Sequence, residues 1–216
     1  IVRFIAQPIT ISYDGNGNTG GSAPGNTTVN AFASTSLATN SGTLVRTNYT
    51  FSGWNTAANG SGTSYASGAT GVSVNNNTTL YAQWNSTITY NANGATGGSA
   101  PASTTAFGSG ANTTLATPAT TLVRTNFTFA GWNTQANGLG TSYASGLTTY
   151  SSTGNTTLYA RWTATITFDV NGGTGSPATS SSNSTPKTSQ VFVNSVSSIQ
   201  VSDFPTVGTM VKTGFT

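Results

Sequence analysis

The stretch Thr47-Asn-Tyr-Thr-Phe-Ser-Gly-Trp-Asn-Thr56 decides the fold of this chain, because it returns almost unchanged as Thr125-Asn-Phe-Thr-Phe-Ala-Gly-Trp-Asn-Thr134. The tryptophans of the two copies, Trp54 and Trp132, are 78 residues apart. A fixed offset of this size is typical of a tandem array in which each copy folds as one unit. We therefore expect a repeat protein rather than a single globular domain.

Two further elements recur around this stretch. Leu80-Tyr-Ala-Gln-Trp84 returns after 78 residues as Leu158-Tyr-Ala-Arg-Trp162, and Ile11-Ser-Tyr-Asp14 has counterparts in Ile88-Thr-Tyr-Asn91 and Ile166-Thr-Phe-Asp169. The 216 residues therefore hold between two and three modules. The predicted boundaries are 9–85 for module 1, 86–163 for module 2 and 164–216 for an incomplete module 3. Residues 1–8 are either the closing strand of a preceding module or a donor strand.

Composition excludes several kinds of function. The chain has six basic and three acidic residues, no histidine and no cysteine, with a formal net charge of +3. Charge this sparse does not form the basic stripe that a nucleic acid needs. Without cysteine there are no disulfides or thiolate metal sites. No apolar run is long enough for a membrane span, whereas aromatic residues at fixed positions favour folded modules over disorder.

The local pattern predicts mostly β modules with little helix. Ile11 and Tyr13 alternate with polar residues as in a strand, and Asn16-Gly17 supplies the positive φ angles of a tight turn. A second, weak strand is predicted around Phe32–Leu37, with counterparts at Phe107–Leu115 and Val191–Val201. No segment shows the 3.6-residue period of an amphipathic helix.

The glycine before each signature tryptophan predicts a β-bulge. In a regular strand Trp54 would face away from Phe51, whereas a bulge at Gly53 turns it back to the core. Gly131 would do the same for Trp132. The closing strands place Trp84 and Trp162 on the same face as their leucines. We take the two glycines and the four tryptophans as the structural signature of the modules: Gly53, Trp54, Trp84, Gly131, Trp132 and Trp162.

This combination of motifs resembles the bacterial surface-protein module called the Listeria–Bacteroides repeat, or internalin B-repeat. The resemblance covers residues 9–84 and 88–162 whole and 166–216 in part. It implies small β-grasp-like modules, usually in tandem and here expected in line, on large secreted or wall-attached proteins. Such modules act as stalks, spacers or adhesive segments and carry no catalytic residues. The chain carries less charge than typical members.

The aromatic residues have two interpretations. The four tryptophans could stack against sugars, but their inward positions favour the core. Tyr81 and Tyr159, on the opposite face of the closing strands, are the candidates for exposed contacts. Asp14-Gly-Asn-Gly-Asn-Thr-Gly20 starts like a calcium loop but lacks the closing glutamate, so we interpret it as a turn and expect no metal site or cofactor.

Two functions remain after an enzyme is excluded, since no histidine or carboxylate pair is present within a module. The first is an extracellular, cell-surface or wall-attached stalk or fibre, with copies of itself or neighbouring modules as head-to-tail partners. The second is an adhesin that binds glycan or another cell surface. The chain is either a window of a longer array or one subunit of a polymer. In the second case Val2 and Phe4 would be donated to a neighbour's sheet.

Overall fold

The computed structural model describes residues 7–108, 110, 112–168 and 187–192, and all regular elements among them are β-strands. The strands in chain order are β1 (Pro8–Asp14), β2 (Thr27–Asn30), β3 (Ser34–Thr35), β4 (Thr50–Asn55), β5 (Ser64–Tyr65), β6 (Val72–Ser73), β7 (Thr78–Asn91), β8 (Thr104–Phe107), β9 (Asn112–Thr113), β10 (Thr128–Asn133), β11 (Ser142–Tyr143), β12 (Tyr150–Ser151), β13 (Thr156–Phe168) and β14 (Lys187–Phe192). The prediction of mostly β tandem modules with little helix is confirmed for these ranges. The β-grasp likeness and the in-line arrangement stay predictions.

The chain divides into two compact units. Unit 1 consists of Ile1–Thr89, Ser103–Thr114 and Thr148–Thr156, and unit 2 consists of Tyr90–Ala102, Leu115–Leu147 and Thr157–Thr216. Unit 1 therefore includes three segments that belong to module 2 by sequence: residues 86–89, Ser103–Thr114 and Thr148–Thr156. The module boundaries themselves stay predictions.

Unit 1 is built around a mixed sheet. Strand β1 lies between β2, which is antiparallel to it, and β7, which is parallel to it and places Leu80 opposite Tyr13. Strand β7 also pairs antiparallel with β4, where Ala82 lies opposite Trp54, and its later residues pair with β8. The short strand β5 extends the sheet beyond β4. Two small sheets, β3 with β6 and β9 with β12, complete the unit.

Unit 2 repeats the central part of this arrangement. Strand β10 lies between β11 and β13 and is antiparallel to both, with Trp132 opposite Tyr143 and Ala160. Strand β13 also pairs antiparallel with β14, which places Ile166 opposite Ser189. The hairpin of β13 and β14 is the third copy of the pairing seen between β1 and β2. The first strand of module 3 thus repeats the opening strand of module 1 in its sequence and also in its antiparallel pairing with the next strand.

Burial follows strand alternation. In β7 every second residue from Leu80 to Tyr90 is buried, because successive side chains of a strand point to opposite faces. The core cluster of unit 1 contains the following residues: Ile11, Tyr13, Leu37, Leu44, Trp54, Val72, Leu80, Ala82 and Trp84. The buried apolar residues of unit 2 include Tyr90, Leu115, Leu122, Trp132, Leu158, Ala160 and Trp162. Each unit thus has its own aromatic core.

The region of the predicted second strand holds two short strands in each module, β2 and β3 in module 1 and β8 and β9 in module 2. Strand β2 ends at Asn30, and Phe32 follows it in a turn with a φ of +65° and 75% exposure. In module 2 the strand β8 ends at Phe107, which is 72% exposed, while Ala106 is fully buried. The predicted ranges Phe32–Leu37 and Phe107–Leu115 contain the short strands β3 and β9, while β2 and most of β8 lie before them. In β8 the inward position is taken by Ala106 rather than Phe107. The space beneath this strand takes a smaller side chain.

Candidate functional site

In each unit, one loop residue forms hydrogen bonds with both the signature tryptophan and the opening-strand tyrosine. The Trp54 indole N–H donates to the Ala38 carbonyl at 2.9 Å, and the Ala38 N–H donates to the Tyr13 hydroxyl at 2.8 Å. In unit 2, Ala116 receives the indole of Trp132 at 2.9 Å and donates to Tyr90 at 2.8 Å. A buried polar group without a partner is costly. The core aromatic residues satisfy theirs within the same unit.

The bulge region lies where the sequence predicts it. The pairing of β4 with β7 shifts register between Phe51 and Gly53, and Gly53 has a φ of +131°. The pairing of β10 with β13 is irregular between Phe129 and Trp132, with Gly131 at +106°. Trp54, Trp84, Trp132 and Trp162 are all at most 2% exposed. Their faces are therefore inside the units and closed to sugar stacking.

Edge-to-face contacts join these rings into one cluster per unit. The ring centroid of Phe51 lies 5.1 Å from that of Trp54 and 5.7 Å from that of Trp84. The equivalent distances from Phe129 are 5.1 Å to Trp132 and 5.8 Å to Trp162. Aromatic pairs in this geometry stabilise a core beyond the area they bury.

The segment that starts like a calcium loop is organised as an Asx turn. The Asp14 carboxylate accepts a hydrogen bond from the Asn16 N–H at 2.7 Å, and Asn91 accepts one from Asn93 at 2.8 Å. Because an amide does in module 2 what the carboxylate does in module 1, the turn needs no charge at this position. No group of three or more residues with metal-binding side chains occurs within the described ranges.

The asparagine of each Asn-Gly turn ties the turn to the rest of the unit. The Asn16 side-chain amide donates to the carbonyls of Ala58 and Ala82, both at 2.8 Å. The Trp84 indole donates to the carbonyls of Gly15 and Asn16, both at 3.1 Å. Asn93 and Trp162 make the equivalent bonds in unit 2. The closing tryptophan thus fixes the turn that follows the opening strand.

Sequence reasoning missed the asparagine that follows the signature tryptophan. Asn55 is fully buried, and its oxygen accepts from the N–H groups of Ala57 and Gly62. Its amide donates to the Gly60 carbonyl, the Gly62 carbonyl and the Ser64 hydroxyl. Asn133 holds the corresponding loop of unit 2. The identical Trp-Asn-Thr string in both modules is the signal that could have identified them.

The basic residues before the signature strands lie against aromatic rings. The Arg46 guanidinium is 4.4 Å from the ring centroid of Tyr49, and that of Arg124 is 4.3 Å from Phe127. A cation over an aromatic face is attracted by the ring quadrupole. Arg161 lies on the closing strand, and partial burial lowers the pKa of its guanidinium.

The candidate contact tyrosines are half-buried. Tyr81 and Tyr159 lie on the face opposite the buried leucines and alanines of their strands. A surface depression in unit 2 is lined by Tyr159 together with residues 134–137. Val2 and Phe4, the candidates for strand donation, lie outside the described residues, as does most of the incomplete third module.

Two stretches of the chain match a known protein family. The family model of the Listeria-Bacteroides repeat domain matches residues 10–83 and 87–161, which is more than half of the chain. The chain belongs to the Listeria-Bacteroides repeat family. Each matched range contains one opening strand and one signature stretch, and each ends one residue before the closing tryptophan, Trp84 or Trp162. No solved structure matches the chain.

Two relatives of these Listeria-Bacteroides repeats come from Evansella cellulosilytica. The first is named "Putative Gly-rich membrane protein" and is 34% identical over 175 residues, which cover 76% of this chain and 20% of the relative. The second is named "Putative membrane protein" and is 39% identical over 92 residues, which cover 41% of this chain and 14% of the relative. The chain thus spans about a fifth or less of each relative. In the described part of the chain itself, none of the elements is a helix that could cross a bilayer.

Proposed function

We propose that these repeats are a non-catalytic spacer in an extracellular protein attached to the cell surface or cell wall. The proposal rests on the observation that the signature and closing tryptophans and the buried asparagine of each unit form their hydrogen bonds inside that unit. Trp54, Trp84 and Asn55 donate to backbone groups of unit 1, and Trp132, Trp162 and Asn133 do the same in unit 2. Side chains engaged in this way specify a fold and are not themselves available as reactive groups.

The residue inventory supports the same conclusion. The sequence contains no histidine, cysteine or glutamate, and only three aspartates. Serine is abundant, but a serine nucleophile requires a base that removes its proton. The surface is rich in Asn, Thr, Ser and Gly, which are solvated without charge. Such a surface suits a segment whose task is to separate other parts of a protein.

The connection between modules also supports a spacer. The closing segment of module 1 and the opening segment of module 2 are both parts of strand β7. Strand β13 joins module 2 to module 3 in the same way. The chain therefore passes from one module to the next without a flexible linker. The relatives' names place them in a membrane, and a surface location for this chain rests on those names and on the family.

The experiment is a length measurement. The chain is compared with a version in which residues 86–163 are duplicated in tandem, using small-angle X-ray scattering and negative-stain electron microscopy. A spacer is expected to gain the same increment of maximum dimension with each added module. A particle that grows in volume while its maximum dimension stays constant would contradict the proposal.

A second candidate is the adhesin, favoured by the depression beside Tyr159. A tyrosine ring next to the polar side chains of Thr134, Gln135 and Asn137 can stack against a sugar while its neighbours bond the hydroxyls. A glycan array with the chain and the Tyr159→Ala variant tests this. Val123→Ala, which changes an exposed side chain outside the depression, is the control. Binding that is lost in Tyr159→Ala alone would establish the adhesin.

A further inference from the structure

The strand that opens module 1 and the strand that closes it lie side by side. Strand β1 pairs in parallel with β7, from Ile11 opposite Thr78 to Asp14 opposite Tyr81. Ile11 is fully buried and Leu80 is 1% exposed, so one face of this ladder is covered by the core of unit 1. Hydrogen bonds that are shielded from water in this way are stronger than exposed ones.

Two side-chain bonds reinforce the ladder at its start. The Thr10 N–H, one residue before the first paired position, donates to the side-chain oxygen of Asn77 at 2.8 Å. Within the ladder, the hydroxyl oxygens of Ser12 and Thr79 lie 3.0 Å apart and share a hydrogen bond. The two strands are therefore joined by side chains as well as by their backbones.

The turn that follows β1 extends the joint beyond the last paired position. The Asn16 side-chain amide donates to the Ala82 carbonyl at 2.8 Å. In the opposite direction, the Trp84 indole donates to the carbonyls of Gly15 and Asn16, both at 3.1 Å. The corresponding asparagine and tryptophan of unit 2 make the same bonds. We call residues 10–16 together with residues 77–84 the strand joint.

Tension along the chain acts on the two strands of this joint in opposite directions. It enters module 1 at Pro8, the first residue of β1, and leaves it toward Asn91, the last residue of β7. Because the strands are parallel, these two ends point opposite ways, and the strands are pulled past each other. The bonds between them lie across the direction of the pull and are loaded together. Pulling at the open end of an antiparallel hairpin, by contrast, loads its bonds one after another.

We propose that the strand joint is a mechanical clamp that lets module 1 carry tension without extending. The inference rests on the proposed spacer function and adds the load that the spacer bears. Strand β7 closes module 1 and continues into module 2, so tension passes from one module to the next along a single strand.

Single-molecule force spectroscopy tests the clamp, with handles attached through introduced cysteines because the chain has none of its own. A chain with Gln7→Cys and Thr89→Cys is pulled from the start of β1 and from the far part of β7, which shears the strand joint. A chain with Gln7→Cys and Asn30→Cys is pulled at the open end of the hairpin of β1 and β2, where Pro8 lies opposite Asn30. All three attachment positions are exposed.

At the same pulling speed, the sheared chain is expected to unfold at a force about threefold above that of the hairpin, because several ladder bonds break together. Its gain in extension should account for all residues between the two handles, since the module opens once the joint fails. Replacing both Ser12→Ala and Asn77→Ala removes two bonds of the joint and should lower the shear force. Asn26→Ala, at an exposed position outside the joint, is the control and should leave the shear force unchanged.

Equal forces in the two pulling directions would overturn the clamp, as would a shear force that the Ser12→Ala, Asn77→Ala chain shares with the control. If circular dichroism shows that Thr89→Cys disturbs the fold, Asn91→Cys at the exposed end of β7 replaces it, with the same criterion. Failure of the clamp leaves the spacer proposal standing, because the length increment is measured on molecules under no tension.

Discussion

The two modules of this chain have nearly the same interior and clearly different surfaces. In both, an opening-strand tyrosine and a signature tryptophan bond one alanine, and a buried asparagine holds the following loop. On the surface, by contrast, Leu139 is 84% exposed where module 1 has Ser61, and Phe127 replaces Tyr49. Interior positions are constrained by packing and hydrogen bonding, whereas surface positions are free to change.

A second difference between the modules lies at a pair of buried positions. Ser86 and Ser152 are buried together in unit 1, while the corresponding residues in module 1 are Ile9 and Val74. Each pair is internally consistent, polar with polar and apolar with apolar. The two members of this pair therefore change together, from apolar in module 1 to polar in module 2.

The largest effect is expected when a signature tryptophan is removed. Trp54→Ala and Trp132→Ala should each lower the free energy of unfolding by about 3–5 kcal/mol, because each deletes a buried ring and leaves a cavity. Denaturation in guanidinium chloride, followed by circular dichroism, measures both. The exposed Val123→Ala serves as control and should change stability by less than about 0.5 kcal/mol. A large loss of unfolding free energy in one variant and a small loss in the other would show that the two interiors are not equivalent.

A somewhat smaller effect is expected at the bulge. Gly53→Val places a Cβ 2.5 Å from the Tyr65 carbonyl at a φ of +131°, so it should cost about 3 kcal/mol through strain and a displaced Trp54. Gly25→Ala is the matched control, since a Cβ there meets nothing within 4 Å. Equilibrium unfolding compares the two variants. A Gly53→Val loss below about 0.5 kcal/mol would mean that the bulge is dispensable.

The buried asparagine should have an intermediate effect. Asn55→Ala and Asn133→Ala each leave loop carbonyls and N–H groups unbonded, which should cost about 2 kcal/mol. Asn26→Ala, at an exposed position, should be close to neutral. Limited proteolysis between residues 57 and 64 provides a second measurement, because the loop should open in Asn55→Ala. Unchanged cleavage together with unchanged stability would show that the loop keeps its conformation without the asparagine side chain.

The smallest effect is expected from calcium. The Asp14 carboxylate is engaged in an Asx turn that an asparagine forms equally well in module 2. Thermal midpoints in millimolar calcium and in chelator should therefore agree within error. An increase of several degrees in calcium would contradict the turn interpretation and would distinguish module 1 from module 2.

Much of the fold could be predicted from particular residues. The alternation of Ile11 and Tyr13, the Asn-Gly turns and the repeated Gly-Trp pairs predict strands, turns and the repeat length. The second strands were located only in part, because β2 and β8 begin before Phe32 and Phe107, which are large and apolar but exposed. The type of a side chain does not by itself indicate how much space is available beneath a strand.

The sequence by itself determined the period, the mostly β character, the family and the absence of histidine, cysteine and glutamate, because these follow from residue identity and spacing. Only the tertiary structure decided that Asn55 and Asn133 are buried loop anchors, and that Tyr81 and Tyr159 are half-buried. It also decided that Asn155 bonds the carbonyl of Asn48, more than a hundred residues earlier in the chain. The physical reason is that a hydrogen bond between distant segments depends on where the backbone brings them, and one residue's chemistry is compatible with many such partners.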